Sequence, residues 1–172
     1  HNLLFSARDF SETIKLLKQN NIDFLLAGKH GGKLRLLKSF SLFSRSFELF
    51  KRLPTFDLSI SMGFDAPIVS KIRRKKSIVI EDNDITQTWI YGKFVDYVFC
   101  PRVLLNTKLT GVNNKKIIPF SGFKEDIYIS NYKPDKFFLN KLPFNNYITV
   151  RPENIYASYM KNNIKSIVPD LI

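Results

Sequence analysis

Lys76–Asp84 reads KSIVIEDND, and this stretch decides the fold. Ser77–Ile80 is a short run that predicts a strand buried on both faces, and it leads straight into Glu81, Asp82, Asn83 and Asp84. An apolar strand ending in clustered acids is the carboxyl end of a parallel strand, where open α/β sheets gather their ligands.

Upstream, Asn2–Ser6 predicts a strand, and Asp9 and Glu12 form a D-x-x-E capping box for a helix carrying Phe10, Ile14 and Leu17. Ile22–Ala27 predicts the next strand, with Gly28–Gly32 (GKHGG) as its loop. Lys33–Leu53 predicts a long helix on which Leu36, Phe40, Phe43, Phe47 and Phe50 recur at steps of four and three, closed by Pro54. Such a helix covers a sheet with its apolar stripe and shows water its charges. Asp57–Ser61 is a strand, and a helix of about two turns starts at Ala66 or Pro67, since proline suits a first turn.

Downstream, a helix is expected over Ile85–Phe94, a strand over Asp96–Cys100, a short helix over 102–109 and a strand over Ile117–Phe120, with Ser121–Glu125 as its loop. Residues 126–135 read as irregular linker, followed by a short helix over Asp135–Leu142, a strand over Tyr147–Val150 and a helical stretch near Ile164–Val168. Repeated strand–helix alternation predicts a doubly wound α/β fold with a parallel sheet. The expected parts are residues 1–123, a linker at 124–135 and the start of a second unit at 136–172. The chain begins at His1, enters a strand at once and stops at VPDLI, which reads as a piece of a longer protein.

The chain is 44% hydrophobic and 14% aromatic, so a sizeable core is expected and disorder is not. No apolar run reaches the roughly 20 residues that span a bilayer. The lone Cys100 closes an apolar strand and reads as a buried thiol in a reducing cytoplasm. Only His1 and His30 offer imidazoles, so zinc-type ligand sets have no support. The net charge of +12 points either to an anionic partner or to A/T-rich codons that favour Lys, Asn, Ile and Phe. Lysines outnumber arginines 19 to 8, whereas specific phosphate or nucleic-acid sites lean on arginine forks.

Several loops can carry chemistry. Gly28, Gly31 and Gly32 permit close backbone approach around Lys29, and His30 suits a general base near neutral pH. A plain glycine turn explains the same residues, and P-loop spacing is absent. Asp82 and Asp84 sit two apart and point the same way in extended backbone, as a base or as partners of sugar hydroxyls; one of them also suits the cap of the next helix. Gly63 lets a ligand near its strand end, Gly122 and Lys124 offer a hinge or an anion contact, and Arg151 with Glu153 offers either a phosphate contact or a structural pair. The basic helix Lys33–Leu53 is also compatible with resting on an anionic membrane. Arg73–Lys76 (RRKK) is too short to count as a nucleic-acid patch. No Ser, His and Asp fall into a G-x-S-x-G context, which discards nucleophilic hydrolysis.

Taken together, GKHGG, the acidic pair in EDND, SGFKE and VRPE followed by Ala157-Ser158-Tyr159 resemble a prokaryotic family of domains of unknown function, family 354, grouped with GT-B glycosyltransferases and UDP-N-acetylglucosamine 2-epimerases. The resemblance implies two Rossmann-like domains, the first lacking one strand and a helix ahead of His1, whose loss leaves a gap in the sheet centre. It matches Gly28, His30, Gly31 and Gly32 to the glycine loop, Asp82 and Asp84 to the acidic pair, Gly63 to a strand-end glycine, Gly122, Lys124 and Glu125 to the hinge, and Arg151, Pro152 and Glu153 to the second domain. Asp84, Ile85 and Met62 stand where the family has Glu, His and His.

The implied activity is transfer from a nucleotide-sugar to a hydroxyl acceptor, with His30, Asp82 or Asp84 as base and with no obligatory metal and no cofactor. A nucleotide-sugar epimerase is the alternative. A non-catalytic module for anionic lipid or nucleic acid ranks last, because an acid-lined sheet edge repels a polyanion. A cytoplasmic location follows, with peripheral contact at the inner membrane face as a second expectation.

Overall fold

The computed structural model describes residues 2–29, 35–84, 86–106, 109–144 and 146–150, with residues 29 and 35–40 described by their backbone. The chain divides into two compact units, His1–Gly122 and Phe123–Ile172.

The first unit is α/β, and every strand pairing in it is parallel. Strands β1 (Phe5–Asp9) and β2 (Phe24–Lys29) form one pair. Strands β3 (Leu58–Ser61), β4 (Lys76–Ile80), β5 (Tyr97–Pro101) and β6 (Ile117–Phe120) form a four-stranded sheet in chain order. Parallel neighbours need crossover connections. Helices α1 (Thr13–Gln19) and α3 (Asp65–Ile72) supply two of them, 3-10 turns at Thr88–Ile90 and Arg102–Asn106 lie in the other two, and α2 (Arg35–Arg52) leads from β2 to β3. This is the arrangement of a Rossmann-like parallel α/β layer.

The opening strand behaves as a central strand should. Ser77 and Val79 are fully buried, Ile78 and Ile80 are half-buried, and β4 pairs on both sides. Val79 joins Tyr91, Val95, Val98, Cys100, Leu104, Leu109 and Val112 in the larger core cluster. A smaller cluster of Ala27, Leu49 and Val69 fastens β2 to α2 and α3. By contrast, β1 pairs only with β2, and β3 only with β4, so each keeps an open edge among the described residues. Leu58 and Ile60, alternating along β3, and Met62 just past its end are all exposed.

Several expectations are corrected. β1 starts at Phe5 rather than Asn2, which draws Asp9 into the strand. Ser11 then takes a left-handed turn at φ 52°, and Glu12 caps α1 without a side-chain bond, so the D-x-x-E box does not form. Of the helix expected over Ile85–Phe94, the described residues 86–94 are irregular chain with one 3-10 turn, because Glu81 and Thr86 hold the loop through their side chains. Hence neither Asp82 nor Asp84 caps a helix.

The aromatic stripe of α2 is also turned around. Phe43, Phe47 and Phe50 are 68%, 59% and 38% exposed, while Arg45, Ser46 and Leu49 face inward. In the second unit, residues 126–135 include a helix, α4 (Asp126–Ile129), and the helix expected over Asp135–Leu142 shrinks to a 3-10 turn at Leu139–Lys141. Tyr147–Val150 forms no strand, having no neighbour to pair with among the described residues. The stretch Ile164–Val168 lies outside the described residues.

Candidate functional site

Parallel strands share one direction, so β3, β4, β5 and β6 bring their carboxyl ends to one rim of their sheet. Gly63 follows β3, Asp82 and Asp84 follow β4, and Gly122 follows β6. Two chains of contacts hold this rim together.

The first chain starts at β2. Gly28 adopts φ +75°, a conformation suited to glycine, and its N–H donates to Glu48 Oε2 at 2.9 Å. A Cβ there would lie 3.0 Å from the Cβ of Arg45. Arg45 is only 8% exposed. Its Nε donates to Asp65 Oδ2 at 2.6 Å, and its Nη1 donates to the Ala27 carbonyl. Asp65 opens α3 directly after the Gly63 loop. One guanidinium therefore ties the carboxyl end of β2 to that of β3, as a charge-assisted hydrogen bond with little water around it.

The second chain runs from that loop to the acids. The ring of Phe64 stacks on Tyr91, with centroids 5.9 Å apart. The Tyr91 hydroxyl donates to Glu81 Oε2 at 2.8 Å. Thr86 Oγ1 lies 2.8 Å from Glu81 Oε1, and the Asp82 N–H donates to that same oxygen at 3.3 Å. Glu81 is 4% exposed, and its own N–H extends the ladder to the Phe99 carbonyl at 2.8 Å. It is thus the post on which the loop is built. Asp82, half-buried, accepts from Asn83 Nδ2 at 3.0 Å, and Asp84 is exposed.

Burial, and then the adjacent Glu81 charge, push the Tyr91 phenol well above its ordinary value, so it stays a hydrogen-bond donor. The same two causes, in the same order, raise the Cys100 thiol. A buried, protonated thiol is an inert core group rather than a nucleophile.

Gly122 has φ +95° beyond β6. Lys124 belongs to the second unit, where its Nζ lies 4.0 Å from Glu125 Oε1. His30, Gly31, Gly32, Ile85, Arg151, Pro152 and Glu153 lie outside the described residues. The rim therefore brings together Gly63, Asp82, Asp84 and Gly122 within the four-stranded sheet, and the Arg45–Asp65 pair joins Gly28 to them.

Sequence reasoning missed Arg45, which it left on a solvated basic face, and Glu81, which it left among generic acids. No spacing rule links Arg45 to an acid twenty positions on. For Glu81 a signal existed: it is the first residue past a buried strand, where the ladder still continues. Among the described residues, no group of three or more His, Cys, Asp or Glu converges as a metal site. No described helix is long and apolar enough to cross a membrane. No protein-family model, curated protein or solved structure matches the chain.

Proposed function

We propose that the first unit is the acceptor-side domain of a GT-B-like glycosyltransferase that uses a nucleotide-sugar donor. The observation that carries this is the rim, where glycines and two carboxylates follow parallel strands and buried contacts hold the loops in place. The open edges of β1 and β3 add support. One further parallel strand paired to both would give the order β2-β1-x-β3-β4-β5-β6, that of a doubly wound sheet.

In this mechanism Asp82, Asp84 or His30 takes the proton of an acceptor hydroxyl. The hydroxyl oxygen bonds to the anomeric carbon, the bond from that carbon to the diphosphate breaks, and nucleoside diphosphate leaves with the electron pair. Glu81 serves as a positioning residue: its carboxylate holds Asp82 by the backbone N–H.

The test is release of nucleoside diphosphate by the full-length protein across a panel of UDP-sugars and hydroxyl acceptors. Asp82→Asn or Asp84→Asn is expected to slow turnover by roughly 10²–10⁴-fold, the contribution of one general base. Neither binding nor release with any donor would remove the proposal. Acceptor-independent exchange of a sugar C–H with solvent deuterium would reassign the site to epimerisation.

A further inference from the structure

The outward turn of α2 creates a surface that the proposed transfer reaction does not use. Phe43, Phe47 and Phe50 stand at steps of four and three, so they stack along one helix face, and all three are exposed. The last of them continues into an open hollow of about 570 Å³, whose apolar wall includes Leu53 and Ile72 and whose lining includes Arg73 and Lys75. That hollow is formed by chain preceding β3 and β4, so it sits at the amino ends of the strands, on the rim opposite the candidate site.

Cations accompany the rings. Lys51 Nζ lies 4.3 Å over the Phe47 ring, and the Arg73 guanidinium lies 5.3 Å from that of Phe50. The neighbouring acids are already engaged: Glu48 with Gly28 N–H and Arg52, and Asp57 with Lys75 at 3.8 Å. A row of apolar rings flanked by snorkelling cations matches the boundary of an anionic bilayer, where rings enter the acyl margin and ammonium groups stay at phosphate level. Cations seated over the Phe47 and Phe50 rings also occupy faces that a nucleic-acid base would need for stacking.

We propose that the outer face of α2, with the adjoining hollow, docks the protein on an anionic lipid surface. The charge complementarity of Lys51 and Arg73, neither of which is paired with an acid among the described residues, selects that occupant over a neutral bilayer. The experiment is co-sedimentation of the full-length protein with phosphatidylcholine vesicles and with vesicles enriched in phosphatidylglycerol.

Binding is expected to the anionic vesicles only and to weaken with salt. The double variant Phe43→Ser/Phe47→Ser should lower it by about tenfold or more, since each ring contributes apolar area to the interface. Both rings are exposed, so the unfolding midpoint of that variant should stay near the parent's. Lys51→Gln should weaken binding less, and only at low salt. Equal binding to both vesicle types, or binding indifferent to the ring variant, overturns the proposal. So does a ring variant that loses self-association or RNA binding while vesicle binding is unchanged.

Discussion

Replacing Arg45 by Met removes a charge from the most tightly tied point of the rim. The side chains of Arg45 and Asp65 are 10% and 16% exposed, and their closest atoms are 2.6 Å apart. Without Arg45, Asp65 keeps a poorly hydrated carboxylate with no cation, and the Ala27 carbonyl loses its donor. Breaking one half of such a pair costs about 3–5 kcal/mol. For a unit of this size that is a fall of roughly 12–20 °C in midpoint.

The chain's single tryptophan, Trp89, belongs to the first unit, so its emission in urea follows the unfolding of that unit. The second arm is Arg45→Met with Asp65→Asn. Removing both charges should restore about 2 kcal/mol or more of the loss, because the penalty is the stranded carboxylate rather than the missing attraction. A single variant within about 0.5 kcal/mol of the parent would refute the tie. A double variant equal to the sum of its singles would show that the two side chains do not interact.

Three further outcomes are expected. Tyr91→Phe strands Glu81 Oε2 in the core, so it should cost about 1–3 kcal/mol in the same urea titration. Ser46→Ala removes a buried hydroxyl with no hydrogen-bond partner among the described residues, and should raise stability by roughly 0.5–1.5 kcal/mol. Asp96 gives a pH signature. Burial pulls its carboxyl upward, but hydrogen bonds from Lys76 and Ser77 outweigh that and leave it below the usual carboxylate value. Its contribution is therefore complete above the unfolded value of about 4 and fades as pH falls through the lower folded one. Asp96→Asn should flatten that part of the stability–pH curve.

The strands were legible because buried parallel strands write themselves as short apolar runs, and β3 to β6 each fall within one residue of expectation at both ends. The carboxyl-end loops followed from strand direction alone. Helix α2 shows where periodicity misleads. Its stripe of phenylalanines has the spacing of a core face, yet Leu49 and the Arg45–Asp65 pair outcompete it for the interior. A spacing rule reports which residues share a face, not which face wins. The loop after β4 was misread for a related reason: its residues suit a helix, but Glu81 draws Thr86 and Tyr91 into side-chain bonds that a regular helix would not permit.

The unpaired margins of β1 and β3 bear on how this polypeptide behaves at the bench. Among the described residues, each presents a row of backbone donors and acceptors with no strand opposite, and along β3 these sit beside the bare side chains of Leu58 and Ile60. Such margins seek other chains, so concentrated samples should clump by strand-to-strand pairing. A short peptide of β-branched residues, added in excess, should compete for those margins and keep the sample dispersed.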